Sequence, residues 1–291
     1  MALARLKSIE ALRYCAPGQW GKLLGLDRIP EVRTLRAKIR PLAALKQAVP
    51  WSAELCTQWM AAAPESAAVL YIDGHVRIYH GHQRPLPKHY VARERLCLRA
   101  TIDYWVNALD GQPFFVVNPG VDPGLLRVLG NEILPRLEKE VPAQPSAEQL
   151  AADPWRHRFT LVFDREGDSP AFFLRMKQKH IACLTYHKYP GAQWPEEEFL
   201  PCQVELSSGE RVEMQRAERG TFLGEKVWVR EIGKLTHSGH QSACLSSDYR
   251  SELAPLACAM FARWCEAKLL QVYARTLPSR WISGLLYRGR S

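Results

Sequence analysis

The spacing of apolar residues changes character near residue 67. Before that point Leu3, Leu6, Ile9 and Leu12 recur at helical spacing, and Val32, Leu35 and Ile39 do the same after Pro30. The spacing predicts two amphipathic helices, with Arg33, Arg36, Lys38 and Arg40 between the apolar positions of the second, and residues 54–63 add a helical piece before Pro64. After residue 67 the period shortens. The runs 68–73 and 76–80, divided by Gly74, predict a hairpin or a tightly connected pair of strands. Residues 96–109 and 114–118 continue the β texture around an Asp110-Gly111 turn. Pro123 opens a helix through Glu140, in which Leu125, Leu126, Leu129, Ile133, Leu134 and Leu137 keep the helical period. A Pro- and Ala-rich linker, 141–154, leads into a strand that ends at Asp164. Ser169 as cap and Pro170 at the first helical position then start a helix through Lys179, and 181–186 is a further strand.

Three strands, helix, strand, helix, strand is the order of an α/β, ribonuclease-H-like mixed sheet, whose first and fourth strands lie side by side. Residues 191–243 interrupt this rhythm. Short alternating runs at 204–206, 211–214, 221–223 and 227–230, set around Ser208-Gly209 and Gly220, predict a small antiparallel β insertion. Helical texture resumes over 253–273. The expected organisation is a basic helical region at 1–66, a catalytic core at 67–190, the insertion at 191–243, and a last core helix with a divergent tail at 244–291.

Two of the apolar runs end in a single aspartate, Asp73 and Asp164. An ionised carboxylate at the end of a buried strand is costly unless a cation or donor meets it. Paired aspartates on adjacent strands suit hard divalent cations, which prefer carboxylate oxygens and keep positions for water and phosphate. Each residue also has a structural reading: Asp73 before Gly74 can make a turn, and Asp164 can pair with Arg165 or cap the segment after it. Charge adds to the picture. The 291-residue chain carries a formal net charge of +9, which favours a polyanionic partner. Its eight cysteines are scattered, with no C-x-x-C pair and no secretory signal, so reduced thiols in a cytosolic protein are expected. No apolar run reaches the roughly 18 residues of a membrane span.

The passages from Tyr71 to Gly81, Lys88 to Arg93, Asp103 to Asn107, Asp110 to Phe114 and Phe163 to Gly167 together resemble those of bacterial insertion-sequence transposases of the DDE type. The resemblance runs from the N-terminus to about Cys265. It implies an RNase-H-like catalytic domain that uses Mg²⁺ or Mn²⁺ to cleave transposon ends and join them to target DNA. It further implies that double-stranded DNA is the partner, with a homodimer allowed, and that the setting is the bacterial cytoplasm at the nucleoid. Asp73 and Asp164 take the places of the first and second catalytic acids, with a β insertion between the second and the third.

At the third acid the chain departs from the family pattern. In the family, the helix after the counterpart of Phe261-Ala262-Arg263-Trp264 carries a Gln-Glu-Asn-Phe-Phe-Lys-Tyr-Met-like run whose glutamate completes the triad. Here Ala267 takes that position and Glu266 stands one residue before it, about 100° away around a helix. Read one nucleotide later, codons for Leu269-Leu270-Gln271-Val272-Tyr273 can spell Phe-Phe-Lys-Tyr, and the tail 282–290 shifts to a family-like pattern in the same way. A frame-altered C-terminus is the expectation. Met1 to Glu10 resembles an internal stretch of the family, so a shortened front is expected too.

Other candidates arise from charge and residue type. Lys88 and Arg93, with Arg95 and Arg99, can contact phosphate, and Lys177, Lys179, His187 and Lys188 flank the strand after Asp164 and are expected near the site. A charge run is usually a solvated face. His75, His80, His82 and His89 could ligate a metal, with Tyr90 as a nickase-like nucleophile, although His80-Gly81-His82 has glycine where such enzymes use an apolar residue. Trp194 and Trp228 can stack on bases or pack internally. Glu166 and Asp168 have no motif to support an acid and base pair. Three functions remain open: a DDE transposase, a catalytically dead DNA-binding remnant, and an RNase-H-like nuclease unrelated to mobile DNA.

Overall fold

The computed structural model describes residues 9–81, 85–91, 94–108, 111–205, 211–224, 227–236 and 239–252. These divide between Leu55 and Cys56 into two compact units. In the first unit, the expected helix through Leu12 is a 3-10 turn, Ile9–Tyr14, while Leu3 and Leu6 lie outside the described residues. Two α-helices come next, α1 (Pro17–Leu23) and α2 (Val32–Ala44). Leu12, Cys15, Ile29 and Val32 form a small core. Beside it lies a groove of about 720 Å³ lined by Arg13, Arg33, Arg36 and Arg40 together with Leu12 and Ile29. The helix expected at 54–63 is α3 (Ala48–Ala62), which begins earlier because Pro50 falls in its first turn, where a missing N–H costs nothing.

The second unit is a mixed α/β structure built on a large, mostly antiparallel sheet. Its strands are β1 (Val69–Ile78), β2 (Lys88–Val91), β3 (Leu96–Asn107), β4 (Pro113–Val117), β5 (Thr160–Phe163), β6 (Ala182–Tyr186), β7 (Leu200–Glu205), β8 (Arg211–Leu223), β9 (Val227–Leu235) and β10 (Gln241–Ser246). They run in the order β2-β3-β1-β5-β6-β10-β9-β8-β7, with β4 on a second stretch of β3. Among the described strands only β1–β5 and β5–β6 pair in parallel.

Two expected breaks are absent. Gly74 does not turn the chain: β1 continues through it, with Gly74 opposite Tyr104 of β3. A Cβ at Gly74 would lie 3.3 Å from the Tyr104 ring, so glycine here serves the close approach of an aromatic side chain. Likewise β8 runs unbroken through Gly220, where a Cβ would meet the Trp228 ring of β9 at 1.9 Å. The strands of 191–243 also join the main sheet, because β10 pairs with β6 and β9 with β10. The turns at Asp110 and at Ser208-Gly209, and the helix over 253–273, lie outside the described residues.

The helix expected from Pro123 begins at Leu125, after Gly124 in a left-handed conformation (φ 94°), and consists of α4 (Leu125–Val128), a π turn (Leu129–Ile133) and α5 (Leu134–Glu140). Pro135 explains the widened turn, since its ring lacks an N–H and crowds the carbonyl four residues back. After the short α6 (Ala147–Ala152), β5 connects to β6 through α7 (Pro170–Gln178), which Ser169 caps by accepting the Phe172 N–H, as expected. One face of the sheet packs against α4, α5 and α7 through Ile72, Leu161, Phe163, Leu129, Ile133, Leu137, Phe172, Phe173 and Met176. Tyr71, Val162, Leu184 and Cys244 form a second, smaller cluster on the opposite face.

Candidate functional site

Parallel pairing of β1 with β5 sets Ile72 opposite Phe163, so the next residues, Asp73 within β1 and Asp164 just past the end of β5, stand at the same level. Alternation along a strand puts both on the face of Tyr71 and Val162, away from the larger core. Both are half-buried. The site lies at the carboxyl end of the parallel strands, the edge at which open α/β sheets bind ligands.

The turn reading of Asp73 fails, since the residue sits within β1 opposite Trp105. The capping reading of Asp164 holds in part: its Oδ1 accepts the Arg165 N–H at 2.7 Å and begins a single 3-10 turn, Arg165–Gly167. The Asp164 carbonyl accepts from Thr185 Oγ1 at 2.9 Å, which ties the exit of β5 to β6. Gly167 makes the turn fit, because a Cβ there would lie 2.0 Å from the Phe163 ring.

Further along the same face, His75 pairs with Asp103 and Arg77 with Thr101 across β1 and β3. Arg77 Nη2 donates to Asp103 Oδ1 at 2.8 Å, and Asn118 Nδ2 donates to the same oxygen. Burial pushes the Asp103 carboxyl above its ordinary value, although Arg77, Asn118 and His75 pull it back. On the other face, burial and the Asp122 carboxylate push the Tyr104 phenol up, with Tyr104 donating to Asp122 Oδ1 at 2.7 Å.

The basic candidates separate. Lys188 lies at the site edge: it comes just after β6, and its N–H donates to Asp168 Oδ2 at 2.7 Å. Lys177 and Lys179 do not join it. They close α7, which begins beside Asp164 and runs back to the start of β6, so they lie at the far end of the sheet. Lys179 is bonded to Glu138 at 2.6 Å, and Lys177 Nζ sits 5.5 Å from the Trp155 ring centroid. Lys88 is exposed on β2 opposite Arg99. Arg93, His82 and Glu266 lie outside the described residues. Among the described residues no group of three or more His, Cys, Asp or Glu side chains is arranged to hold a metal ion. Trp194 is buried against Phe199, whereas Trp228 is half-exposed against Phe222.

Among the buried carboxylates that the sequence did not single out is Glu231. Glu231, with a side chain only 1% exposed, takes His187 Nδ1 on one oxygen and Arg219 Nε on the other, each at 2.7 Å. Burial pushes this carboxyl up, but the two hydrogen bonds outweigh it and hold it below its ordinary value. A signal was present: Val227, Val229, Glu231, Gly233 and Leu235 are alternate residues of β9, and the one carboxylate among them points inward.

Among the described residues no helix is long and apolar enough to cross a membrane. No curated protein matches the chain. Among solved structures it is similar to a piggyBac transposase synaptic complex with hairpin DNA, with 14% identity and a TM-score of 0.42 over 76% of this chain. That match covers 44% of the piggyBac chain, so the present chain spans less than half its length. A family described as "Transposase protein" matches residues 1–277. Since that match takes in all but the last residues of the sequence, the chain belongs to this transposase family.

Proposed function

We propose that this transposase cuts DNA and joins it through a metal centre held by Asp73 and Asp164 on an RNase-H-like sheet. The observation that carries the proposal is the parallel register of β1 and β5, which sets the two aspartates side by side. The order β4-β3-β1-β5-β6, antiparallel across its first three strands and parallel across its last three, supports the RNase-H-like reading.

The donor set fits a hard cation, because both residues offer only carboxylate oxygens and both are half-buried rather than sealed from solvent. Mg²⁺ or Mn²⁺ bound there supplies activation of the attacking water or 3′-hydroxyl and stabilisation of the leaving oxygen. Asp73 is held in place by the β1–β3 and β1–β5 ladders. Asp164 is held by the Arg165 N–H on its side chain and by Thr185 on its carbonyl, so the backbone of Asp73 and the carboxylate of Asp164 are positioned before DNA arrives. Transposon-end and target DNA are the proposed substrates. In the first unit, the groove lined by Arg33, Arg36 and Arg40 is suited to phosphate. Glu266 is the proposed third acid, and Ala267 at the family position favours a second reading, a DNA-binding remnant without catalysis.

The test is strand cleavage of duplex DNA carrying the element's terminal repeats, with and without Mg²⁺. Cleavage that needs the metal and is lost in Asp73→Asn and Asp164→Asn bears out the proposal. Salt-sensitive binding with no cleavage establishes the remnant, and cleavage indifferent to the terminal repeats points to a general nuclease.

A further inference from the structure

The three residues after β6, His187-Lys188-Tyr189, leave the sheet at the edge that carries Asp73 and Asp164. The start of this loop is fastened from three directions. The His187 N–H donates to Ala243 O of β10 at 2.9 Å, and the Lys188 N–H donates to Asp168 Oδ2 at 2.7 Å. The His187 ring is bonded through Nδ1 to buried Glu231, whose second oxygen is taken by Arg219, and the Arg219 guanidinium lies 4.1 Å over the Trp194 ring centroid. A carboxylate sealed this far from water and bonded on both oxygens holds its partners in one arrangement.

Beyond these anchors the side chains turn outward. Lys188 is exposed, Tyr189 is 76% exposed, and Lys188 Nζ lies 5.3 Å from the Tyr189 ring centroid. An aromatic ring kept in solvent on a braced loop, with an ammonium beside it, combines the two elements of single-strand recognition: a face for stacking and a charge for phosphate. Bases within a duplex have their faces already stacked, so such a ring selects unpaired nucleotides.

We propose that Lys188 and Tyr189 form a platform for an unpaired DNA strand at the catalytic edge, with Tyr189 stacking on a base, Lys188 meeting the backbone, and Asp168 and the His187–Glu231–Arg219 network holding the loop rigid. The identity of that strand, as one opened next to the cut, rests on the transposase reading above; the platform itself rests on the loop.

The full chain is titrated, without divalent metal, against a fluorescent thymine homopolymer and against a blunt duplex of equal length. Tyr189→Ala is expected to weaken single-strand binding by about five- to a hundredfold and duplex binding far less, with Tyr189→Phe restoring it. Lys188→Ala is expected to lower the slope of log affinity against log salt by about 0.7 for the single strand. The proposal is overturned if Tyr189→Ala binds the homopolymer as the parent does, if both probes are lost equally, if Tyr189→Phe fails to restore binding, or if the parent binds neither probe. Metal-dependent cleavage with no effect of Tyr189 on strand binding sinks the platform and leaves the catalytic reading standing. Strand binding that depends on Tyr189 in a protein that cleaves nothing does the reverse.

Discussion

Ile72 of β1 and Phe163 of β5 are register partners in neighbouring parallel strands, and each is succeeded by an aspartate. The packing of these two apolar residues therefore positions the two carboxylates. Asp73→Asn and Asp164→Asn each remove one of two neighbouring negative charges at half-buried positions. Their urea midpoints should correspond to changes within about 1 kcal/mol of the parent while DNA cleavage disappears. A large loss of stability in either variant would assign these residues to the fold instead.

Phe163 is fully buried and meets the Phe172 ring edge-on at 5.6 Å. Gly167 lets that ring lie close against the turn after Asp164. Gly167→Ala should cost about 1–3 kcal/mol by overpacking, and Phe163→Ala about 3–5 kcal/mol by leaving a cavity, both read from denaturant unfolding. Gly167→Ala should also reduce cleavage, because relief of the clash moves the turn that Asp164 begins.

Glu231 is held below its ordinary pKa of 4.5, so its contribution to stability is fully present above pH 4.5 and is lost as pH falls through the lowered folded value. Glu231→Gln should cost about 3–5 kcal/mol at neutral pH, where it disrupts a buried ionic network. The gap in melting temperature between parent and variant should narrow as the buffer is taken below pH 4.5. A constant gap at every pH would show that the charge contributes nothing.

Asp103 has the opposite sign. Its folded pKa is raised above 3.8, so its charge opposes folding as pH rises past that value. Arg77→Met removes its main compensating charge. The variant should lose little stability near pH 3, where Asp103 is protonated in both states, and more at neutral pH, by about 3 kcal/mol. Thermal melts across this range measure the difference.

Cys97 is exposed on β3, whereas Cys56 and Cys183 are buried. Burial, with help from Glu140, pushes the Cys56 thiol up to about 12, and burial alone pushes Cys183 up as well. Maleimide labelling of the native protein at neutral pH should modify Cys97 and spare Cys56 and Cys183 until denaturant is added, with peptide mass spectrometry as the readout.

The sequence by itself determined the features that depend on near neighbours. Ser169-Pro170 specified the start of α7, the apolar period specified the helical stretch 125–140, and the apolar runs before Asp73 and Asp164 specified two buried strand segments each followed by an acid, although β1 continues past Asp73. Sequence alone could not tell that β1 passes straight through Gly74, since a glycine that admits the Tyr104 ring and a glycine that turns a hairpin look alike until the partner strand is known. Only the tertiary structure decided that Lys177 and Lys179 fall at the far end of α7 while Lys188 stays at the site, and that Glu231 reaches across to His187. The reason is physical. Propensity and periodicity act over a few residues and state which face a side chain takes, whereas register, strand order and the closure of a buried carboxylate are set by contacts between segments far apart in the chain.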